Sequence, residues 1–307
     1  MARHTPQKTL SSRAWVELAA LSCLWGASFL AIRIALDEVS LVWMVTHRVV
    51  WAAVVLWLVL AWRGERLPRD PGIWAAFAVM GLLNNVIPFS LMGWGQLHIE
   101  TGLTAILNAT TAPFGLLVAA AIFADERLTV RKALGTGLAF FGVATTIGLD
   151  NLRSLDLRSL AQLAVLAGTF SYALAGAWSR VTLAGLKPEI AATGMLTASA
   201  AMMLPAALVL EGPPDLSLEP RTIAAIAYFA VASTALAYLL YYRVLAMAGS
   251  ANLLLCTLLV APISILLGAV VLGERLPPQA LAGFSLLAAG LAIIDGRLFR
   301  RRRRLRD

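Results

Sequence analysis

The segments "ADERLTVRKALG" (124–135) and "LGERLPPQALAG" (272–283) repeat one pattern, about 148 residues apart, in a chain of 307 residues. Aligning Glu126 with Glu274 brings further identical residues into register: Arg127 with Arg275, Leu128 with Leu276, Gly135 with Gly283, and Gly142 with Gly290. With a shift of one residue, "TAPFGLL" (111–117) aligns with "VAPISIL" (260–266), which pairs Pro113 with Pro262. The repeat predicts two related halves, residues 1–150 and 151–307.

The composition indicates a membrane protein. Hydrophobic residues make up 60% of the chain and charged residues 14%, whereas soluble domains have about 45–50% and about 25%. The apolar residues come in blocks of about 20 residues, the length that a helix needs to cross the hydrocarbon layer. We predict an all-α integral membrane protein with ten transmembrane helices, at roughly 15–36, 41–62, 72–93, 100–123, 131–149, 159–180, 190–210, 222–243, 250–273 and 278–295.

Charge and helix number together predict the topology. Ten helices place both ends of the chain on one side of the membrane, and the connectors on that side carry far more arginine and lysine. The positive-inside rule then predicts cytoplasmic N and C termini. Because each half has five helices, an odd number, the second half must enter the membrane upside down. Inverted repeats are typical of secondary transporters that work by alternating access, although a duplication can also serve only to build a stable bundle.

Several functions find no support in the sequence. The net charge of +8 does not indicate nucleic-acid binding, because the basic tail "RLFRRRRRLRD" (297–307) is typical of a topology anchor that contacts anionic lipid. Cys23 and Cys256 lie inside predicted helices and imply no disulfide. The chain has no G-x-x-x-x-G-K-[ST] segment, no H-E-x-x-H segment and no other spaced metal-ligand set. We therefore expect no ATP hydrolysis, no cofactor and no metal site.

Four segments carry a family resemblance. They are "LWGASFLAIR" (24–33), "HRVVWAA" (47–53), and the two proline-to-"ERL" segments that close the fourth and ninth predicted helices. Through them the chain resembles the drug/metabolite transporter superfamily, in its ten-helix EamA-type branch, over nearly its whole length. The resemblance implies a carrier of small metabolites in the bacterial inner membrane, often an exporter, with the fifth and tenth helices as scaffold. Its amino-acid and aromatic amino-acid exporters are the nearest group.

Polar side chains deep in apolar helices indicate a pathway or a structural bond, because such groups are costly in a membrane unless they face protein or water. Arg48 can attract a substrate carboxylate, or it can bond carbonyl groups of a neighbouring helix. His47 beside it can titrate or pair with a neighbour. Asn84 and Asn85 lie near the middle of the third helix. Pro88 cannot donate to the carbonyl group of Asn84, and we expect that carbonyl to be free for an ammonium group or a polar side chain.

Three prolines are candidate hinges: Pro88, Pro113 and Pro262. Each removes the hydrogen bond to a carbonyl group four residues earlier, and the resulting kink can gate a carrier or only set a curvature. Aromatic rings with hydroxyl groups suit an apolar or aromatic solute, although each ring can also serve packing. The candidate substrate-binding residues are Trp25, Ser28, His47, Arg48, Asn84, Asn85, Asn108, Tyr172, Tyr238 and Thr257.

We interpret the chain as a secondary transporter that exports amino acids, aromatic ones included, or similar small metabolites, as a monomer or homodimer among membrane lipids. A carrier of drugs or other metabolites is the alternative within this class. An integral membrane enzyme would need convergent catalytic or metal groups, which His4, His47 and His98 do not supply. A scaffold without transport has no need for Arg48 in the membrane. Two modes of transport are consistent with the sequence: facilitated diffusion, and transport coupled to an ion through His47 or Glu17.

Overall fold

The computed structural model describes residues 10–99, 101–156, 159–215, 217–272 and 279–295, and every regular element in these ranges is helical. We number the helices in chain order. They are α1 (Ser12–Gly26, resuming as Ser28–Ala35), α2 (Leu41–Arg63), α3 (Pro71–Gln96), α4 (Thr101–Ala109, resuming as Thr111–Ile122), α5 (Val130–Ile147), α6 (Leu160–Thr182), α7 (Pro188–Glu211), α8 (Pro220–Ala248), α9 (Ser250–Leu253, resuming as Cys256–Leu272) and α10 (Ala280–Asp295). A short 3₁₀ segment, Leu149–Ser154, follows α5.

The chain is an all-helical membrane protein, as the composition predicts. Six helices in the described ranges are long and apolar enough to cross a membrane: Leu41–Arg63, Pro71–Gln96, Leu103–Ile122, Leu160–Thr182, Pro188–Glu211 and Pro220–Ala248. Two shorter apolar helices, Ser250–Ile263 and Ala280–Asp295, follow them. A total of ten transmembrane helices therefore stays a prediction.

Polar caps and prolines set where the helices begin. Ser40 accepts a hydrogen bond from the backbone N–H of Trp43 at the start of α2 (3.2 Å). Asp70 accepts one from Gly72 at the start of α3 (2.8 Å). The helices α3, α7 and α8 each begin at a proline, whose fixed φ suits the first turn and whose missing N–H would be unpaired there. The predicted boundaries agree with these starts to within a few residues.

Ion pairs between helix ends define one end of the bundle. Arg243, near the end of α8, pairs with Glu17, near the start of α1 (2.5 Å). Arg180, near the end of α6, pairs with Glu126 in the turn after α4, and the backbone N–H of Ser250 at the start of α9 also donates to Glu126 (3.0 Å). We call this the Glu126 end. At the opposite end α1 stops and α8 starts, and α3 stops at Gln96; we call it the Gln96 end.

The helices α2 and α7 run antiparallel along one side of the bundle. At the Glu126 end, Lys187 before α7 pairs with Glu65 after α2. This hydrogen bond to a carboxylate raises the pKa of the Lys187 ammonium group above its ordinary value. At the Gln96 end, the hydroxyl group of Ser40 donates to Glu211, the last residue of α7. The two helices are therefore bonded at both of their ends.

The helices α5 and α10 cross through glycines. Gly135 and Gly142 of α5 lie against Gly290 and Gly283 of α10, respectively. A Cβ atom added at Gly142 would lie 2.5 Å from the backbone nitrogen of Leu287, so the two backbones touch and no side chain fits between them. The pairing order shows that the helices run antiparallel. These four glycines are the ones that the sequence repeat aligns, and they form a contact within the chain.

Six of the larger contacts between helices follow one rule. The helix α1 packs against α8 and α9, and α6 packs against α3 and α4. Likewise α2 packs against the π-helical part of α8, and α7 against α3. Each contact has a counterpart when both helices are moved five places along the chain. The side chains of Leu18, Phe77, Met195 and Phe229 are fully buried between these helices.

The candidate hinge prolines lie in different local structures. The helix α4 is interrupted at Thr110, three residues before Pro113. In contrast, α9 continues through Pro262 and is interrupted earlier, between Leu253 and Cys256. Pro88 follows a π-helical turn within α3. The aligned prolines of α4 and α9 thus share a sequence position but not a helix break.

Candidate functional site

A cavity lies in the centre of the bundle. Traced by the centre of a water-sized sphere, its volume is about 90 Å³; because one water needs about 10–15 Å³ by that measure, it has room for about six to nine water molecules. Its lining extends from Tyr241 and Leu254 to Ile32 and to Gln96, at the Gln96 end. We call it the central cavity. Eight candidate residues from the sequence line it: Trp25, Ser28, Arg48, Asn84, Asn108, Tyr172, Tyr238 and Thr257.

A π-helical turn in α3, Leu82–Val86, forms part of the cavity wall. Pro88 has no N–H for the carbonyl group of Asn84, which favours such a wider turn at this place. The sequence predicts that this carbonyl is free. In the structure a polar side chain approaches it: the hydroxyl group of Tyr238 in α8 lies 3.3 Å away. The single proton of that hydroxyl lies nearer to the amide oxygen of Asn85 (2.5 Å), so the carbonyl group of Asn84 keeps only a weak contact with α8.

Asn85 lies behind the cavity wall and does not line it. Its side chain is fully buried, and its amide nitrogen donates to the hydroxyl group of Ser199 in α7 (2.8 Å). Its amide oxygen accepts a hydrogen bond from Tyr238 (2.5 Å). The next residue toward the N terminus, Asn84, does face the cavity, and its amide nitrogen lies 3.6 Å from the sulfur atom of Met195. Asn85 thus positions Tyr238, while Asn84 presents polar atoms to the cavity.

A second π-helical turn, Tyr228–Leu236, lies in α8. The hydroxyl group of Thr234 donates to the carbonyl group of Phe229, five residues earlier (2.7 Å). The carbonyl group of Ser233 accepts a hydrogen bond from the indole nitrogen of Trp25 in α1 (3.0 Å). π-Helical turns release backbone groups from the regular pattern and are frequent at functional sites. Here the turn fixes the indole ring at the cavity wall.

Arg48 brings a positive charge to the cavity. The side chain is buried in α2, its Nε donates to the hydroxyl group of Thr234 (2.9 Å), and its Cζ lies 3.9 Å from the centre of the Phe89 ring. Among the described residues, its two terminal nitrogens have no hydrogen-bond partner, and it takes part in none of the ion pairs. One nitrogen makes a structural bond to a neighbouring helix, and the other two are left at the cavity.

Aromatic rings form the apolar walls. The ring centres of Trp25 and Tyr238 are 6.4 Å apart, and those of Tyr238 and Tyr241 are 5.7 Å apart. On the other side, the rings of Phe89 and Tyr172 are 6.5 Å apart in an edge-to-face arrangement. The hydroxyl group of Tyr241 is buried and has no hydrogen-bond partner within the described residues. It joins the terminal nitrogens of Arg48 among the polar groups of the cavity that lack a partner in the described residues.

His47 lies away from the cavity. Its Nδ1 accepts a hydrogen bond from the indole nitrogen of Trp51 (3.2 Å), and its ring centre lies 5.5 Å from that of Trp43. Trp51 is 49% exposed, on the outer surface of the bundle. Successive residues of a helix point about 100° apart. Because Arg48 faces the cavity, His47 takes another face of α2, and the structure does not bring it together with the other candidates.

Ten of the described lining residues were not selected from the sequence, and two of them, Tyr241 and Phe89, contribute aromatic rings to the walls. Tyr241 lies three positions after Tyr238, on the same face of α8, and that spacing is the signal that could have identified it. Phe89 directly follows Pro88, and nothing in the sequence distinguishes its ring from one that only packs. Its place under the guanidinium group depends on how α2 and α3 cross.

At the Glu126 end, a buried carboxylate joins three segments of chain. Glu126 is 1% exposed and accepts hydrogen bonds from the side chain of Arg180 and from the backbone N–H groups of Ser250 (3.0 Å) and Ala251 (2.8 Å). Arg180 also pairs with Asp125 (2.5 Å). A negative charge at the start of α9 is favourable because the helix dipole is positive there. The turn after α4, the end of α6 and the start of α9 are thus held at one point.

The described lining of the cavity offers groups that can bind a solute. Neither Asp nor Glu is found among its described lining residues. In the described ranges no group of three or more His, Cys, Asp or Glu could hold a metal ion. A guanidinium group, amide groups, hydroxyl groups and aromatic walls suit a small solute with an anionic group and an apolar body.

Comparisons with known proteins agree with this architecture. A protein of Streptantibioticus cattleyicolor described as a probable terminal-alkyne amino-acid exporter is 27% identical over 296 residues, which cover 96% of this chain and 97% of that protein. A protein of Salmonella typhimurium described as a probable amino-acid metabolite efflux pump is 26% identical over 286 residues, 88% of this chain and 90% of its own length. A chain in a solved crystal structure shares the fold, with a TM-score of 0.76 at 17% identity, covering 95% of this chain and 98% of its own.

The profile of the EamA-like transporter family matches the chain twice, over residues 13–148 and 159–295. The resemblance that the sequence motifs indicate is thereby confirmed. This protein belongs to the EamA-like transporter family.

Proposed function

We propose that the chain is a secondary transporter that exports amino acids, aromatic ones included, or similar small metabolites by alternating access through the central cavity. The observation that carries the proposal is the cavity itself. It combines one arginine, the amide side chains of Asn84 and Asn108, and a wall of aromatic rings at the centre of an apolar bundle. The descriptions of the two relatives, which name amino-acid export and amino-acid metabolite efflux, support this substrate class.

Alternating access needs two arrangements of similar energy. We propose that residues 1–150 and 151–307 form two inverted five-helix halves, ten transmembrane helices in all. Three observations support this proposal. The family profile matches once in each half, α5 and α10 cross antiparallel through the glycines that the repeat aligns, and π-helical turns lie in α3 and α8, five helices apart. In an inverted-repeat transporter, each half can adopt the conformation of the other. The protein then has a second state, open to the opposite side of the membrane, with equivalent contacts between the halves.

We further propose that the structure represents a state closed at the Glu126 end. The cavity lining reaches Gln96 at one end of the bundle, whereas the buried ion pairs of Glu126 and Arg180 lie at the other. The distribution of arginine and lysine along the chain supports a cytoplasmic position for the Glu126 end and both termini in a bacterial inner membrane. The state is then open toward the outside, from which a bound solute would leave. A protease added to right-side-out vesicles should spare the basic tail (297–307); cleavage there would reverse this orientation.

Transport by the purified full chain tests the proposed function. In proteoliposomes preloaded with leucine or phenylalanine, labelled solute should exchange across the membrane above the rate of protein-free liposomes. We expect Asn108→Ala to lower the rate about tenfold. The Asn108 amide makes no hydrogen bond to described residues, so its removal leaves no buried partner unpaired. The matched control is Trp62→Ala, at an 84% exposed position of α2. If no labelled amino acid or related metabolite exchanges above the background, the proposal is wrong.

A further inference from the structure

The central cavity has an unbalanced charge. Arg48 is the charged residue among its described lining residues, and no carboxylate faces it. The guanidinium group stays protonated at any physiological pH. Of its five N–H groups, the one on Nε is used by Thr234, and those on the terminal nitrogens have no partner in the described ranges. A buried cation without an anion is costly, and the cost falls when an anion arrives.

The remaining polar groups of the cavity are neutral. They include the amides of Asn84 and Asn108, the hydroxyl groups of Thr111 and Thr257, and the unpartnered hydroxyl group of Tyr241. The two amides and the Tyr241 hydroxyl can donate to a carboxylate or a keto oxygen, whereas the hydroxyl groups of Thr111 and Thr257 already donate to the backbone carbonyl groups of Asn108 and Leu254 and can only accept. An ammonium group in the same cavity would meet no negative charge from the described residues. Arg48 would repel it, because both groups are positively charged.

We propose that the transported solute carries a net negative charge. Its chemical class is a small monocarboxylate with an apolar body whose nitrogen is absent or uncharged, such as a 2-oxo acid or an N-acylated amino acid. The carboxylate binds the terminal nitrogens of Arg48, and the body lies against the rings of Trp25, Phe89 and Tyr172. This inference rests on the proposed transport function and narrows its substrate from the zwitterionic amino acid to an anionic derivative.

Net charge has a consequence for the driving force. A carrier that moves one negative charge outward is driven by the membrane potential, which is negative inside. At 100 mV this potential supports about a 50-fold concentration ratio for a single charge. Export of such an anion needs no coupled ion. A carrier driven in this way does not need a proton relay, and the described lining of the cavity contains no carboxylate that could form one.

The test uses the full chain in proteoliposomes with a potassium gradient and valinomycin to set the potential. Four solutes of similar shape are compared: phenylalanine, its methyl ester, N-acetylphenylalanine and phenylpyruvate. We expect the two anions to leave at least tenfold faster than the zwitterion and the cationic ester. We also expect a potential of 100 mV to shift the steady-state ratio of N-acetylphenylalanine about 50-fold. Protein-free liposomes measure the passive leak.

Variants connect the effect to the arginine. Arg48→Gln should lower transport of both anions at least tenfold and remove their advantage over phenylalanine. The control is Arg221→Gln, which removes the same charge at an exposed position near the start of α8. If Arg48→Gln does not fold, because the bond to Thr234 is lost, the solute comparison and the potential dependence of the unaltered chain decide the question.

Two sets of results overturn the inference. If phenylalanine moves as fast as the anions, or if the steady-state ratio of N-acetylphenylalanine does not follow the potential, the solute is not selected by its negative charge. These outcomes leave the proposed transport function intact. If none of the four solutes moves above the leak, the transport function itself is overturned for this class of solute, and the inference with it.

Discussion

Glu126 is the residue whose removal should open the closed end. The change Glu126→Gln keeps the shape of the side chain and removes its charge. In the structure the carboxylate is 1% exposed and receives the side chain of Arg180 and the N–H groups of Ser250 and Ala251. Glutamine retains one oxygen for these donors and leaves Arg180 with Asp125 as its partner. We expect the state closed at this end to lose stability relative to the state open there.

The magnitude follows from the bonds lost. Removing one partner of a buried ion pair costs about 3–5 kcal/mol, and a single hydrogen bond to a charged group contributes about 1.5–3 kcal/mol. Because the amide oxygen of glutamine keeps part of the bonding to the start of α9, we take a loss of about 2–3 kcal/mol. At about 1.4 kcal/mol per factor of ten, this shifts the equilibrium toward the open state about 30- to 150-fold.

The assay measures access to a buried cysteine next to Arg180. Ser179 is 1% exposed, and cysteine has nearly the shape of serine, so Ser179→Cys is a mild change. In a chain whose Cys23 and Cys256 are replaced by serine, a maleimide added at the Glu126 side should label this cysteine slowly. Adding Glu126→Gln should raise the labelling rate by the same factor as the equilibrium.

The matched control removes a carboxylate at the same end of the bundle. Glu189, whose side chain is 12% exposed, pairs with Arg63, whose side chain is 52% exposed; because water reaches the arginine, the pair contributes about 0–1 kcal/mol. We expect Glu189→Gln to leave the labelling rate within about threefold of its starting value. If the Glu126→Gln protein melts at the same temperature as the unaltered chain and is labelled no faster, the carboxylate does not hold this end closed.

Three further predictions concern packing and the cavity. Gly142→Ala should lower the free energy of unfolding, measured in thermal melts, by about 1–3 kcal/mol, because the added Cβ would lie 2.5 Å from the backbone nitrogen of Leu287. The control is Gly137→Ala, whose added Cβ would have no atom within 4 Å and should not lower the free energy of unfolding. Tyr241→Phe should leave the melting temperature unchanged or higher, because it removes a buried hydroxyl without a partner. If that hydroxyl binds the solute, the same change should slow exchange of labelled solute about threefold or more. Equal exchange rates would show that the Tyr241 ring serves packing alone. Pro113→Ala should slow exchange while leaving equilibrium binding of the solute unchanged, as a hinge requires; unchanged exchange would assign the proline to fixed curvature.

Much of the architecture could be predicted from local features of the chain. Apolar blocks of membrane length can only be helices there, because a helix satisfies its own backbone polar groups. The repeat identifies the glycines at 135, 142, 283 and 290 as equivalent in sequence, and the structure places them in one crossing, where Gly135 lies against Gly290 and Gly142 against Gly283. Most of the candidate cavity residues were also accessible to sequence analysis, because polar side chains in the middle of apolar helices need a protein or solvent neighbour.

The side of the helix that each polar residue occupies could not be predicted. His47 and Arg48 are neighbours in the sequence, but Arg48 bonds to Thr234 at the cavity while His47 bonds to the exposed Trp51. Asn84 and Asn85 divide in the same way between the cavity and α7. The reason is that helix α2 is hydrophobic around its whole circumference, so its sequence contains no periodic signal that orients it.

The amino-acid order is enough to establish a helical membrane protein with a repeated pattern, because hydrophobicity, length and identity are properties of residues taken one after another. The folded chain adds two facts: Glu126, a residue of that pattern, joins Arg180 to the start of α9, and Arg48 faces the cavity without a carboxylate in its described lining. Both depend on residues more than 50 positions apart in the chain. Such contacts are set by how helices cross and rotate, and no local pattern records that geometry.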